Sequence, residues 1–267
     1  MIDLLGVRVV FYQGTPDERV ALDDLQLSLA EGSFAVVVGT NGAGKSTLLN
    51  VVAGTVSPQR GKVTFGDTDI ASWPPHQRAK FVSRVFQDPM LGTCAALTIE
   101  ENLALAERRG QTRGLSLALK RSARERYREL LAPFGLGLET RMGASAGLLS
   151  GGQRQVLALL MATLSQPGLL LLDEHTAALD PRTAQLVIDA SVRLIAEQRI
   201  TTLMITHNMQ HAIDCGDRLL MMESGRIKLD IGGAEKRGLT IPGILQRFGD
   251  APDFVQLQAA GDMTSLA

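Results

Sequence analysis

Apolar and polar residues alternate along much of the first forty residues, a pattern typical of β-strands. Three strands are predicted there, at residues 5–11, 25–29 and 34–38, and the last is an unbroken apolar run that ends at Gly39. A helix is predicted at residues 46–53, and further strands at residues 62–65 and 82–86. This part of the chain is therefore mainly sheet, with a glycine-rich connection between a buried strand and a helix.

The pattern becomes helical from about residue 98. Helices are predicted at residues 99–107, 117–131 and 151–164, followed by strands at 168–172, 201–206, 218–222 and 227–230 that alternate with helices at 182–196 and 209–214. Such alternation predicts a parallel sheet covered by helices, interrupted by a mostly helical insertion at about residues 90–160. From about residue 249 no period is clear, which is typical of a loosely attached tail.

The composition is that of an ordinary globular protein, since 45% of the 267 residues are apolar and 21% are charged. The net charge of −1 provides no general attraction to nucleic acid, and an aromatic content of 4% argues against a base-stacking surface. Cys94 and Cys215 lie in unrelated contexts, which favours a reduced, cytoplasmic compartment. The amino terminus lacks the pattern of a signal peptide and no run of 18 apolar residues occurs, so we expect no membrane-spanning segment.

The glycine-rich connection matches the pattern G-x-x-x-x-G-K-[ST]. Its residues are Gly39, Thr40, Asn41, Gly42, Ala43, Gly44, Lys45, Ser46 and Thr47. Glycines let the backbone curl so that several N–H groups converge on a phosphate, and the helix amino terminus adds its positive dipole end. Lys45 supplies a charge for the β- and γ-phosphates, and the Ser46 hydroxyl is suited to Mg²⁺. A glycine-rich turn with a chance lysine is the alternative, but the strand and helix on either side favour a phosphate site.

A second chemical signal follows the four leucines at residues 169–172. Because these residues show no alternation, they predict a strand buried on both faces. Asp173 and Glu174 stand at its carboxyl end, where parallel sheets bind their ligands. Asp173 is suited to holding the Mg²⁺ shell and Glu174 to polarising an attacking water. An acidic helix N-cap is the alternative interpretation of this pair.

The segment LSGGQRQ at residues 149–155 resembles the LSGGQ signature of ATP-binding-cassette (ABC) ATPases. It contains Ser150, Gly151, Gly152 and Gln153, a short interval before the two carboxylates, as in that family. Further residues match family motifs in the expected order: Gln87 resembles the Q-loop glutamine, Asp180 the D-loop aspartate and His207 the switch histidine. Phe11, or alternatively Tyr12, resembles the aromatic residue that stacks on adenine. The resemblance covers about residues 1–235.

This resemblance implies an α/β fold with a P-loop NTPase (RecA-like) core and its parallel sheet, an amino-terminal antiparallel β subdomain and a helical subdomain. It places the ATPase domain at residues 1–240, with the helical subdomain at about 90–160, and leaves 241–267 as a short C-terminal helix and tail. His175 stands where proline or alanine is common in the family, and we interpret it as a residue characteristic of a subfamily rather than as a catalytic residue.

The resemblance also implies how the site works. ATP is bound by the glycine-rich loop and Phe11, and Mg²⁺ by Ser46, Gln87 and Asp173. Glu174, His207 and Gln87 are the implied catalytic residues. Ser150–Gln153 (SGGQ) and Asp180 are implied to act across a head-to-tail dimer, on the nucleotide of a second copy.

The implied partners are a second copy of the cassette, transmembrane permease subunits and an extracytoplasmic substrate-binding protein, with no nucleic acid. Several sequence segments, among them FYQGT at residues 11–15 and DEHTAALD at 173–180, are similar to the corresponding segments of bacterial cassettes paired with tryptophan/tyrosine-type binding proteins. We therefore expect an importer ATPase at the cytoplasmic face of the inner membrane, with residues 89–93 and 99–105 receiving the permease. The alternatives are an exporter or lipoprotein-releasing system and, from another class, a soluble ABC ATPase acting on DNA or ribosomes.

Overall fold

The computed structural model describes residues 1–110 and 121–248. These residues form two compact units, one within Met1–Arg78 and Arg199–Ala267 and the other within Ala79–Gln198. The start of the helix predicted at 117–131 and the tail predicted from residue 249 lie outside the described residues. No helix in the described ranges is both long and apolar enough to cross a lipid bilayer.

In chain order the strands are β1 (Ile2–Phe11), β2 (Arg19–Leu29), β3 (Phe34–Gly39), β4 (Arg60–Phe65), β5 (Thr68–Asp69), β6 (Val82–Val85), β7 (Leu169–Asp173), β8 (Thr202–Ile205), β9 (Arg218–Glu223) and β10 (Arg226–Gly232). The helices are α1 (Lys45–Ala53), α2 (Pro75–Arg78), α3 (Ile99–Glu107), α4 (Arg121–Leu131), α5 (Gly151–Thr163), α6 (Pro181–Gln198), α7 (Met209–Asp214), α8 (Gly233–Arg237) and α9 (Ile241–Phe248). Short 3-10 helices occupy Ala132–Phe134, Leu138–Thr140 and Ala146–Leu148.

The first unit contains an antiparallel sheet in the order β2-β1-β4-β5. Leu4, Val7 and Val9 of β1 are buried in its interior. The pairing of β1 shifts register between Leu4 and Val7, where Gly6 has φ +63°. A Cβ on Gly61 of β4 would lie 2.5 Å from the Gly6 carbonyl oxygen, so this close approach of the two strands requires glycine.

The same unit contains β3 between parallel neighbours. β3 pairs in parallel with β8 and with β9, and β10 pairs antiparallel with β9. Every residue of β3 is buried, as expected for a strand covered on both faces. Helices α1 and α7 contact β3. Because β3 and β8 are parallel, their carboxyl ends lie at the same edge of the sheet.

The second unit contains the parallel pair β6 and β7, with Val82 opposite Leu169. The four leucines of β7 are each 0% exposed, which confirms the prediction of a strand covered on both faces. Helix α5 contacts β6, α3 and α6, and its apolar residues are buried. Tyr127 joins α4 to α3, because its hydroxyl donates a hydrogen bond to Glu107.

The predicted α/β fold with a parallel sheet, an amino-terminal antiparallel sheet and helices is confirmed. Periodicity does not predict β5, α2 and α8, since each is too short to show a period. β2 begins at Arg19 rather than at residue 25, because it pairs with β1 as far as Arg19 opposite Phe11. The domain limits given for residues 1–240 and 241–267 stay a prediction.

Candidate active site

The glycine-rich loop connects β3 to α1 and is held by close backbone packing. Gly42 and Gly44 have φ values of +81° and +101°, which side chains larger than hydrogen disfavour. A Cβ on Gly39 would lie 2.3 Å from the Met222 carbonyl oxygen, and one on Gly44 would lie 2.4 Å from the Ala21 carbonyl oxygen. The loop is therefore fixed against β9 and β2, and its curvature depends on glycine.

Lys45 is the first residue of α1, and its side chain lies across the loop. The ammonium Nζ donates to the carbonyl oxygens of Gly39 at 2.7 Å and Thr40 at 2.9 Å, and the residue is only 6% exposed. The first turn of α1 contains no acidic residue. A buried cation and a helix amino terminus without an acidic residue in its first turn together favour binding of an anion.

The tip of the β1–β2 hairpin lies beside this loop. Phe11 pairs with Arg19 across the two strands, and Arg19 donates to the Gly42 carbonyl oxygen at 3.4 Å. Phe11 is 36% exposed, whereas Tyr12 is 72% exposed and has φ +53°. Both aromatic candidates are therefore accessible, and Arg19 of β2, which sequence reasoning missed, connects the hairpin to the glycine-rich loop.

His207 follows β8 in the same unit as the glycine-rich loop. Thr206 donates its N–H to the Val37 carbonyl of β3 at 3.2 Å, and its hydroxyl accepts from the Asn208 N–H at 3.0 Å. Asn208 then caps α7 by accepting from the His211 N–H. The residue between these two anchors, His207, is held at the edge where β3 and β8 both end.

Asp173 ends β7 in the second unit and is paired with a cation. Arg84, on the neighbouring strand β6, donates to its carboxylate at 2.5 Å, and the two side chains are 15% and 16% exposed. The Arg84 guanidinium also lies 4.9 Å from the centre of the Phe86 ring. Sequence reasoning missed Arg84, because its partner lies on a strand far along the chain.

Glu174 begins the turn that follows β7. Its φ of +46° is in the left-handed region, and its carbonyl oxygen accepts from the Ala177 N–H at 3.0 Å. A non-glycine residue with this backbone is uncommon, and such residues concentrate at functional sites.

Gln87 lies just beyond β6, and buried amides organise the chain around it. Gln155 of α5 is 0% exposed and donates to the Phe86 carbonyl oxygen at 3.1 Å. Asn102 of α3 is also 0% exposed, and it exchanges hydrogen bonds with both the N–H and the carbonyl of Cys94. These two residues fix the path of the chain on either side of the segment that contains Gln87. Sequence reasoning did not identify either of them.

Ser150 is the N-cap of α5, and the LSGGQ segment packs tightly against the start of α6. The Ser150 hydroxyl accepts from the Gln153 N–H, and the Gln153 side chain accepts from the Ser150 N–H, which is a capping box. A Cβ on Gly152 would lie 2.0 Å from the Thr183 Cγ2. Hydrogen bonding from the Thr183 side chain, and from the Thr183 N–H at 3.1 Å, lowers the pKa of the Asp180 carboxyl.

The predicted site residues therefore fall into two groups, one in each unit. The first unit brings together the glycine-rich loop with Lys45, the hairpin tip with Phe11, and His207. The second unit contains Gln87, the carboxylate that ends β7 and the one that follows it, and the LSGGQ segment next to Asp180. Among the described residues, no group of three or more His, Cys, Asp or Glu side chains is arranged to hold a metal ion.

Comparison with known proteins identifies the family. Residues 22–177 match the ABC transporter family. The tyrosine transport ATP-binding protein of Clostridioides difficile (strain R20291) is 43% identical over 248 residues, which cover 93% of this chain and 98% of that protein. The aliphatic sulfonates import ATP-binding protein of Escherichia coli (strain K12) is 37% identical over 214 residues, covering 80% of this chain and 76% of that protein.

Solved structures agree with this result. A dimeric ATP-binding cassette in a post-hydrolysis state, bound to ADP and Pi, has a TM-score of 0.74 and 27% identity, and the match covers 90% of this chain and all of that one. An ADP-bound cassette of an ABC transporter has a TM-score of 0.75 and 26% identity over 97% of this chain and 98% of its own. The chain therefore belongs to the ABC transporter family, as an ATP-binding cassette with ATPase activity.

Proposed function

We propose that this cassette binds MgATP and hydrolyses it as a dimer to drive the uptake of a small aromatic amino acid through a membrane permease. The observation that carries the ATPase part is the glycine-rich loop with Lys45 buried at the head of α1. The transport part is supported by the 43% identity to a tyrosine transport ATP-binding protein over 98% of its length.

In this proposal the first unit holds the nucleotide. The N–H groups of residues 39–47 and the Lys45 ammonium bind the β- and γ-phosphates, because they converge at a helix amino terminus. Phe11 or Tyr12 stacks on adenine, and the exposed faces of both rings support either choice. His207 contacts the γ-phosphate from the end of β8.

Mg²⁺ fits the chemistry of the proposed ligands. Ser46, Gln87 and Asp173 offer a hydroxyl, an amide and a carboxylate oxygen, which are the donors that this hard cation prefers. The ion pair with Arg84 orients the Asp173 carboxylate. When bound, the ion would neutralise charge on the β- and γ-phosphates.

The residues that end β7 then carry out the reaction. Glu174 accepts a proton from the attacking water and Gln87 orients that water, while Asp173 would help to hold Mg²⁺. Because each role depends on position, the fixed turn at Glu174 and the anchored chain around Gln87 support these assignments.

A second copy completes each site. Ser150, Gly151, Gly152 and Gln153 lie at the start of α5, whose helix dipole suits a γ-phosphate held by the partner copy. Asp180, exposed at the start of α6, reaches across the same interface. The relative that is dimeric and bound to ADP and Pi supports the formation of a dimer.

The permease docks on the second unit in this proposal, which places the cassette at the cytoplasmic face of the membrane. Large apolar side chains are exposed there: Met90 at 49%, Leu91 at 68% and Leu105 at 53%. Exposed apolar side chains close to a catalytic segment are typical of a protein interface. An extracytoplasmic binding protein would deliver the solute to the permease.

Transport in proteoliposomes tests the proposal. The cassette is co-purified with its permease and reconstituted in vesicles with the substrate-binding protein outside and ATP inside. We expect uptake of radiolabelled tyrosine into the vesicles. Unlabelled tryptophan should reduce this uptake, and the Glu174→Gln variant should abolish it. Outward flux would support the exporter alternative, and flux of an aliphatic sulfonate in place of tyrosine would overturn the proposed substrate class.

A further inference from the structure

The segment between β7 and α6 is anchored by a buried side chain next to Glu174. Among the described residues 174–180, only His175 is buried, at 2% exposure. Its ring Nε2 lies 2.9 Å from the Oγ of Ser191, which is itself 1% exposed. Ser191 lies about three turns into α6, so the turn is tied to the middle of that helix.

The direction of this hydrogen bond follows from the protons available. Ser191 has one hydroxyl proton, and its Oγ lies 2.8 Å from the carbonyl oxygen of Val187, one turn earlier on α6. A carbonyl can only accept, so the hydroxyl proton is used in that bond. Ser191 therefore accepts from His175, and the Nε2–H of the ring is the donor. His175 thus donates to Ser191, and Ser191 donates to the Val187 carbonyl oxygen, so both buried polar side chains are hydrogen-bonded.

The backbone of Glu174 requires support of this kind. Its φ of +46° is unfavourable for a residue with a side chain. A residue in such a conformation keeps it only where the surrounding structure holds it. Its side chain is half-buried, and the next residue along the chain is the buried anchor. Because the two residues are adjacent, a displacement of His175 would shift the backbone that carries the Glu174 carboxylate.

We propose that His175, held by Ser191, is a positioning residue that keeps the Glu174 carboxylate aimed at the attacking water. His175 is buried away from solvent and acts through the Glu174 backbone, not on the nucleotide. This inference rests on the proposed function of Glu174 as the general base. At metal sites, removal of a hydrogen-bond partner that orients a ligand typically costs 10- to 100-fold in affinity or activity, and we expect the lower end of that range for this positioning contact.

Ser191→Ala tests the proposal with the smallest change in packing. We expect kcat for ATP hydrolysis to fall about 10-fold, with the KM for ATP and the equilibrium affinity for ATP unchanged. Thr163→Val is the matched control, since Thr163 of α5 is also buried and donates to the carbonyl one turn earlier, that of Leu159. The control should keep the wild-type kcat. A loss of affinity and Tm in Ser191→Ala without a loss of kcat would show a merely structural contact and overturn the proposal.

A pair of substitutions at His175 tests whether the donor itself matters. His175→Gln keeps an N–H near the position of Nε2, and we expect it to retain most of the turnover. His175→Leu has similar bulk and no donor, and we expect the same loss of kcat as in Ser191→Ala. Equal turnover in the two variants would contradict the proposal.

The Glu174→Gln background separates this inference from the proposed function. If Ser191 acts through Glu174, Ser191→Ala leaves the residual rate of Glu174→Gln unchanged. A further 10-fold fall in that background would mean that Ser191 acts elsewhere, and the inference would be wrong. Wild-type turnover by Glu174→Gln alone would instead remove Glu174 as the base, which is a failure of the proposed function.

Discussion

The phosphate loop after β3 and the turn after β7 both follow buried parallel strands, but they are held in different ways. The loop depends on its own backbone, since Gly39 and Gly44 pass so close to neighbouring carbonyls that a Cβ would clash. The turn depends on distant side chains: Arg84 pairs with Asp173, and His175 bonds to Ser191. Under the proposed function, the groups that bind phosphate therefore come from a contiguous motif, whereas the groups that act in catalysis are held by residues far apart in the sequence.

This contrast separates two kinds of functional loss. A change in the loop removes N–H groups or charge that bind phosphate in every state of the reaction, so it should weaken affinity. A change at the turn alters groups that act as the reaction proceeds, so it should lower kcat at nearly constant affinity.

The largest effect is expected for Glu174→Gln. Removing the general base should lower turnover at least about 100-fold, while ATP binding stays intact and a nucleotide-bound dimer accumulates. ATPase assays and light scattering with ATP measure both results. Glu197→Gln, at an exposed glutamate of α6, is the control and should behave as wild type. Normal turnover by the Glu174 variant would reassign the base.

Lys45→Ala should weaken ATP binding by about 10- to 100-fold, because a charged hydrogen bond contributes about 1.5–3 kcal/mol. Titration of a fluorescent ATP analogue gives the dissociation constant. The matched control is Lys62→Ala, at an exposed lysine of β4 in the same unit. Unchanged affinity in Lys45→Ala would argue against the phosphate loop.

Ser150→Arg should lower ATP-driven dimerisation about 10-fold or more while one cassette still binds ATP, because the side chain would project into the proposed interface. Sedimentation of the variant in the Glu174→Gln background measures the loss. Ser57→Arg places the same residue at another exposed serine and should leave dimerisation intact. Undiminished dimerisation of the Ser150 variant would show that the LSGGQ segment does not face a partner.

The smallest effect is expected for Gly152→Ala. Its Cβ would lie 2.0 Å from the Thr183 Cγ2, and overpacking of this kind costs about 1–3 kcal/mol of the free energy of unfolding. Thermal unfolding should show a Tm lower by several degrees. Thr183→Ser removes the clashing methyl group, so the double variant should recover most of the loss. No recovery would mean that the two helix starts do not pack as described.

The same contrast explains what the sequence could predict. The parallel sheet covered by helices followed from periodicity, and the antiparallel sheet at the amino terminus followed from the family resemblance. The glycine-rich loop and the carboxylates at the end of β7 were proposed as site residues from short contiguous patterns with a strand or helix beside them. Arg84 and Ser191 could not be found in this way, because their partners lie far along the chain and neither matches a motif. His175 stood out only as a departure from the family pattern, and its burial and donor direction required the structure.

The central claim is that one copy of this cassette holds only half of each ATP-hydrolysing site. ATPase activity per cassette, measured across a dilution series with mass photometry at each concentration, tests it most directly. We expect the ATPase activity per cassette to fall in proportion to the fraction of dimer as the protein is diluted. Constant specific activity at concentrations where only monomers are detected would contradict it.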